Sequence, residues 1–116
     1  MASIVELTGK FLATTKKGDS IKVWKLEDQF HLPKIRRSHK FRITMLSFSP
    51  DDKYIVSGSE DGEIIIWDPM KGELLNTLKG HSRGITVITF NKNSTLLASG
   101  SEDNTIKIWD VKVENY

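Results

Sequence analysis

Ile55-Val56-Ser57-Gly58-Ser59-Glu60-Asp61-Gly62-Glu63-Ile64-Ile65-Ile66-Trp67-Asp68 returns 42 residues later as Leu97-Ala98-Ser99-Gly100-Ser101-Glu102-Asp103-Asn104-Thr105-Ile106-Lys107-Ile108-Trp109-Asp110. A weaker copy, Leu12 to Trp24, precedes both, and its tryptophan stands 43 residues before Trp67. The histidines keep step: His39 and His81 are 42 residues apart, and each lies 28 before its tryptophan. Two marker types held in register at one period indicate a structural repeat.

Within each period, short β-branched runs alternate with turn signals. Ile43 to Phe48 is followed by Ser49-Pro50-Asp51-Asp52, then Tyr54 to Ser57, the Asp61-Gly62 turn, Ile64 to Trp67, and Leu74 to Leu78 after Lys71-Gly72-Glu73. The next period repeats this as Ile85 to Phe90, Leu96 to Ser99 and Ile106 to Trp109. No window carries the i, i+3, i+4, i+7 stripe of a core-facing helix, so four antiparallel strands per period is the expected unit. Ile64-Ile65-Ile66-Trp67 loses the polar alternation of a half-exposed strand, which predicts a sheet covered on both faces. In the copies, Ile21-Lys22-Val23-Trp24 and Ile106-Lys107-Ile108-Trp109, one face stays apolar while a lysine shares the other with the tryptophan.

Composition removes several function classes. The 116 residues are 38% hydrophobic and 28% charged with three Pro, which excludes a disordered or collagenous chain. The absence of Cys removes disulfides, thiolate zinc sites and cysteine nucleophiles. A formal charge of +2 is far from the basic excess of a dedicated nucleic-acid binder. No apolar run approaches the roughly 20 residues of a membrane helix, and Met1 to Glu6 does not read as a signal peptide. The expected setting is intracellular, cytoplasmic or nuclear, with no membrane partner.

The repeats resemble those of the WD40 family. The resemblance rests on Gly80-His81 and its variant Ser38-His39, on Phe48-Ser49-Pro50-Asp51 and Phe90-Asn91-Lys92-Asn93, on the Ser-Gly-Ser-Glu-Asp stretches, and on Trp67-Asp68 and Trp109-Asp110. Their joint spacing falls within the family's period of about 40 to 45. The first repeat departs most, with Lys25 after Trp24 and Thr14-Thr15-Lys16 in place of Gly-Ser. The fold implied is all-β: WD40-type β-propeller blades in an incomplete ring of about three four-stranded antiparallel sheets. The repeat units are placed at 1–26, 27–68 and 69–110, with a short tail 111–116.

The resemblance also implies a structural tetrad in each sheet: His39, Ser57, Asp61 and Trp67 in the second repeat, and His81, Ser99, Asp103 and Trp109 in the third. With the overlay of the first repeat begun at Ala13, the partial set there is Thr15, Asp19 and Trp24. A carboxylate in the turn can accept from His, His can engage the hydroxyl, and the hydroxyl can accept the indole N–H. The same residue types also suggest a Ser-His-Asp hydrolase. Against it, the set recurs 42 residues away, and no Gly-x-Ser-x-Gly elbow holds either serine.

Lys34, Arg36, Arg37, Lys40 and Arg42, with Phe41 among them, form a candidate anion-binding run whose simpler account is a solvated connection into the next strand. Residues 97–112 loosely resemble the box of WD40 substrate receptors of cullin-4 ubiquitin ligases, although Lys112 stands where Arg matches better. No metal-ligand spacing involves His31, His39 or His81, and no phosphate loop occurs, so neither metal nor cofactor is expected.

At a period of 42, the 116 residues supply about 2.8 units, short of the 4 to 8 blades of a closed propeller. Three accounts follow: a fragment of a longer propeller, a homo-oligomeric ring of partial propellers, or a subunit completed by another chain. The expected function is a non-catalytic protein-interaction scaffold binding a protein or peptide. The alternative is an assembly subunit whose open blade edges dock into a larger complex, ahead of a ubiquitin-ligase receptor fragment or a serine hydrolase.

Overall fold

The computed structural model describes residues 4–16, 20–27, 34–37 and 39–111, the side chains of residues 16 and 34–37 excepted. Eleven strands form three antiparallel sheets, and no helix occurs among the described residues. The first sheet is β1 (Val5–Leu7), β2 (Phe11–Lys16), β3 (Ser20–Lys25) and β4 (Lys34–Arg37). The second is β5 (Ile43–Phe48), β6 (Ile55–Ser59), β7 (Ile64–Asp68) and β8 (Glu73–Leu78). The third holds β9 (Ile85–Phe90), β10 (Leu96–Ser101) and β11 (Ile106–Asp110), so it shows three strands among the described residues where four were expected. Each sheet is a meander, because the short turns can join only antiparallel neighbours.

The two faces of the second sheet explain the unbroken apolar reading of β7. Strand register places Ile55 opposite Trp67 and Ser57 opposite Ile65 on one face, and Val56 opposite Ile66 and Gly58 opposite Ile64 on the other. The first face packs with Leu46 and Phe48 against Phe11, Ala13, Ile21 and Val23 of the first sheet. Phe11 and Phe48 stack across this junction with centroids 5.6 Å apart. The second face packs against Ile85, Ile88 and Leu97 of the third sheet. The Thr44 hydroxyl also donates to the Ile85 carbonyl at 2.6 Å, tying the second and third sheets at their first strands.

Two glycines are required by geometry. Gly62 has φ +93° in the turn after Asp61, and its counterpart Asn104 has φ 67°, a region tolerated by Gly and Asn. Gly58 has a different reason, because a Cβ there would lie 2.7 Å from Ile85 Cγ2. Gly58→Ala is therefore expected to force the second and third sheets apart and to lower stability by about 1–3 kcal/mol. Urea unfolding checks this: an unchanged midpoint would mean that Ile85 does not press against Gly58.

Candidate functional site

In the third sheet one chain of hydrogen bonds, buried at its centre and half-buried at its ends, runs from strand to turn. The Trp109 indole N–H donates to Ser99 Oγ at 2.8 Å, and Ser99 Oγ lies 2.7 Å from His81 Nε2. On the other side of the ring, His81 Nδ1 is 3.2 Å from Asp103 Oδ2 and 2.9 Å from Thr105 Oγ1. Every group is satisfied when Ser99 donates to Nε2 and the Nδ1–H is shared by Asp103 and Thr105. Hydrogen bonds from the Thr105 hydroxyl, then from the Ser82 and Thr105 amides, hold the Asp103 carboxyl well below the usual carboxylate range against partial desolvation. His81 thus joins the connection before β9, the middle of β10 and the turn before β11.

The second sheet repeats only part of this. Trp67 N–H donates to Ser57 Oγ at 3.1 Å, and Ser57 Oγ lies 2.6 Å from His39 Nε2. Asp61 does not complete the set: its Oδ1 accepts the Ser59 hydroxyl and the Glu63 amide, and His39 Nδ1 has no hydrogen-bond partner. Glu63, at the position of Thr105, brings Oε1 to 3.5 Å from that nitrogen. The serine before the turn also differs in its acceptor. Ser59 donates to Asp61, whereas its counterpart Ser101 donates to the Arg83 carbonyl, and in that repeat Thr105 donates to Asp103 Oδ1 while Oδ2 faces His81. Burial lowers the His39 pKa to about 4, with the Asp61 charge opposing it in part. Neither Glu63 nor Thr105 was singled out from sequence; the only available signal was their shared place two residues after the turn aspartate.

The first-repeat set requires a correction. Register pairs Leu12 with Trp24 and Thr14 with Lys22, so Thr14, not Thr15, occupies the position of Ser57 and Ser99. Thr15 pairs with Ile21 and lies on the opposite face from Trp24, where its hydroxyl accepts the Ile4 N–H at 3.1 Å. A one-residue slip exchanges the faces of a strand, which is why the overlay begun at Ala13 selected the wrong threonine. Trp24 is half-buried, with Lys22 Nζ 5.9 Å from its ring centroid. Asp19 lies outside the described residues.

A model of the family described as "WD domain, G-beta repeat" matches residues 31–68 and 72–110. The chain belongs to the WD40 repeat family. It is 36% identical over 85 residues to nuclear distribution protein nudF 2 of Aspergillus clavatus, covering 70% of this chain and 18% of that protein. It is 33% identical over 79 residues to the chromatin assembly factor 1 subunit FAS2 homolog of Oryza sativa subsp. japonica, covering 64% of this chain and 16% of that one. The chain thus spans less than a fifth of the length of these WD40 relatives. Among solved structures, a chain of a mitotic checkpoint complex superposes with TM-score 0.81 at 26% identity, over 94% of this chain and 35% of that one. The computationally designed Ika4 protein superposes with TM-score 0.77 at 28% identity, over 92% of this chain and 64% of that one.

The remaining candidates lie on the edges of these WD40 sheets. Of the basic run, Lys34, Arg36 and Arg37 belong to β4, and their side chains are outside the described residues; Lys40, Phe41 and Arg42 are exposed before β5. Lys40 also borders an open cleft of about 260 Å³ shared with Asp61, Glu63, Lys79 and His81, so its neighbours carry both signs of charge. A larger groove of about 580 Å³ lies between the first and second sheets, lined by Lys10, Lys53, Asp51 and Asp68 together with Phe11, Tyr54 and Met70. No group of three or more His, Cys, Asp or Glu could hold a metal ion among the described residues. His31 and Lys112 lie outside them.

Proposed function

We propose that this WD40 chain is a non-catalytic protein-interaction module whose exposed connections bind a protein or peptide. The observation that carries this reading is the engagement of its polar sets. Ser57 and Ser99 are 0% and 1% exposed, and each hydroxyl is held between an imidazole and an indole. A nucleophile must reach its substrate; these hydroxyls pin neighbouring strands. The groups left for recognition are on the connections, including Phe41, which is 52% exposed between Lys40 and Arg42. An intracellular setting, cytoplasmic or nuclear, accords with a cysteine-free chain and with relatives named for nuclear distribution and chromatin assembly.

The test pairs affinity enrichment with the surface variants Phe41→Ala and Arg42→Glu. A partner held by the unaltered chain and lost by a variant of unchanged thermal midpoint supports the reading. Labelling of Ser57 or Ser99 by a fluorophosphonate, abolished by His39→Ala or His81→Ala in folded protein, would replace it with the hydrolase. Polyanion binding by Lys34, Arg36, Arg37, Lys40 and Arg42 is expected to be micromolar at most and to vanish as salt rises. Nanomolar, sequence-dependent binding at physiological salt would instead mark a nucleic-acid reader.

A further inference from the structure

The same repeat positions are buried inside the molecule and bare at its two ends. Ile21 and Ile64 are 1% and 0% exposed, whereas Ile106, at the equivalent position of the third sheet, is 80% exposed. Val23 and Ile66 are 6% and 1% exposed, but Ile108 is 71% exposed. The opposite face behaves in mirror fashion on the first sheet. Leu46 and Ile88 are 3% and 7% exposed, while their counterpart Val5 is 58% exposed; Leu7, at the position of Phe48, is 67% exposed. Each internal junction joins one face of the first kind to one of the second, so the chain carries an unused copy of both halves of its own interface.

We propose that the Ile106 and Ile108 face receives the Val5 and Leu7 face of a second copy of this chain, and that the reciprocal contact closes two three-sheet halves into a six-sheet ring. Six sheets lie within the 4 to 8 blades of known propellers. A head-to-tail contact between two copies closes on itself when each half turns the chain by half a circle, and closure leaves no face bare. Size argues for both contacts together. A face three strands wide and one strand long is roughly 250–300 Å² in plan, so two junctions bury on the order of 1,000 Å², close to the lower limit of a stable interface, while one alone falls short. Lys22, on the Val5 and Leu7 face, is no obstacle. Its counterpart Lys107 lies on the covered face of the third sheet, with its methylenes near Gly80 and Trp109. This pairing of sheet faces is independent of recognition by the exposed connections.

The chain has no Cys, so engineered thiols report without background. Sedimentation of the full 116-residue chain is expected to give twice 13.2 kDa, without growth to larger species as concentration rises. A short bismaleimide should link Leu7→Cys to Ile108→Cys when the two single variants are mixed and should link neither to itself. A folded or unfolded single copy, a mass that climbs past two copies, or Ile108→Cys linking to its own kind would overturn the proposal. A single-copy mass would leave binding through Phe41 and Arg42 intact, so the two readings fail separately.

Discussion

Trp67→Ala is expected to lower the unfolding free energy by about 3–5 kcal/mol, the range for truncating a large buried aromatic side chain. Trp67 is 4% exposed and belongs to the apolar cluster that joins the first and second sheets. Its loss leaves a cavity facing Ile55 and Ile65 and removes the donor to Ser57 Oγ. Trp67→Phe separates the two effects: it keeps one ring in the junction but leaves Ser57 without the indole N–H, for an expected loss of about 1–3 kcal/mol. Domain stabilities are typically about 5–15 kcal/mol, so the alanine variant loses a large fraction of the total and should unfold at a clearly lower urea midpoint. Urea titration followed by indole fluorescence and circular dichroism measures both variants. A loss under about 1 kcal/mol for Trp67→Ala would mean that the junction does not form around this ring.

The strands of the second and third repeats were legible because side-chain chemistry and period agree there. Ile43 to Phe48 and Ile85 to Phe90 are observed with the expected bounds, and the unbroken Ile64-Ile65-Ile66-Trp67 run is buried on both faces. The ends of β6 and β10 were less legible. Gly58-Ser59 and Gly100-Ser101 have weak strand propensity, yet they extend the sheet because Ser59 pairs with Ile43 and Ser101 with Ile85 across bulges. The placement of Thr15 failed for a sharper reason. Period-two geometry makes a single-residue error total, and only the pairing of Leu12 with Trp24 shows which threonine shares the tryptophan's face.

The polar sets show a further limit on reading roles from residue identity. Ser59 and Ser101 are the same residue at the same position, followed by Glu-Asp in both repeats. Their hydroxyls nevertheless take different acceptors, Asp61 in one and the Arg83 carbonyl in the other. The residues that differ are the two after the aspartate: Gly62-Glu63 in the second repeat and Asn104-Thr105 in the third. Thr105 both donates to Asp103 and contacts His81 Nδ1, whereas Glu63 reaches the equivalent nitrogen of His39 only at 3.5 Å. Identical letters can therefore end in a closed network in one sheet and an open one in the next.

That open network should make stability fall on mild acidification. Burial lowers the His39 pKa to about 4 from an ordinary value of 6.5, and the nearby Asp61 charge does not reverse the shift. Above pH 6.5 the ring is neutral in both states, and the full stability is present. Between about pH 6.5 and pH 4 the unfolded chain takes up a proton that the folded chain refuses, so stability falls as pH falls, by about 3 kcal/mol over the window if His39 acts alone. Below that window both states carry the proton and this contribution is flat. Asp51, Asp61 and Asp103 all have lowered values, so their contributions are present above the ordinary carboxylate value of 3.8 and are lost as pH falls below it. Glu6 opposes them, because burial raises its pKa and its contribution is lost as pH rises. Urea midpoints measured from pH 7.5 to pH 4 on the unaltered chain and on His39→Gln isolate the histidine, since Gln keeps a polar group near Ser57 but cannot titrate. The slope between pH 6.5 and pH 4 is expected to flatten in the variant. An equal slope in both proteins would mean that the His39 ring accepts its proton as readily in the folded sheet as in water, which requires Glu63 to close its 3.5 Å gap to Nδ1.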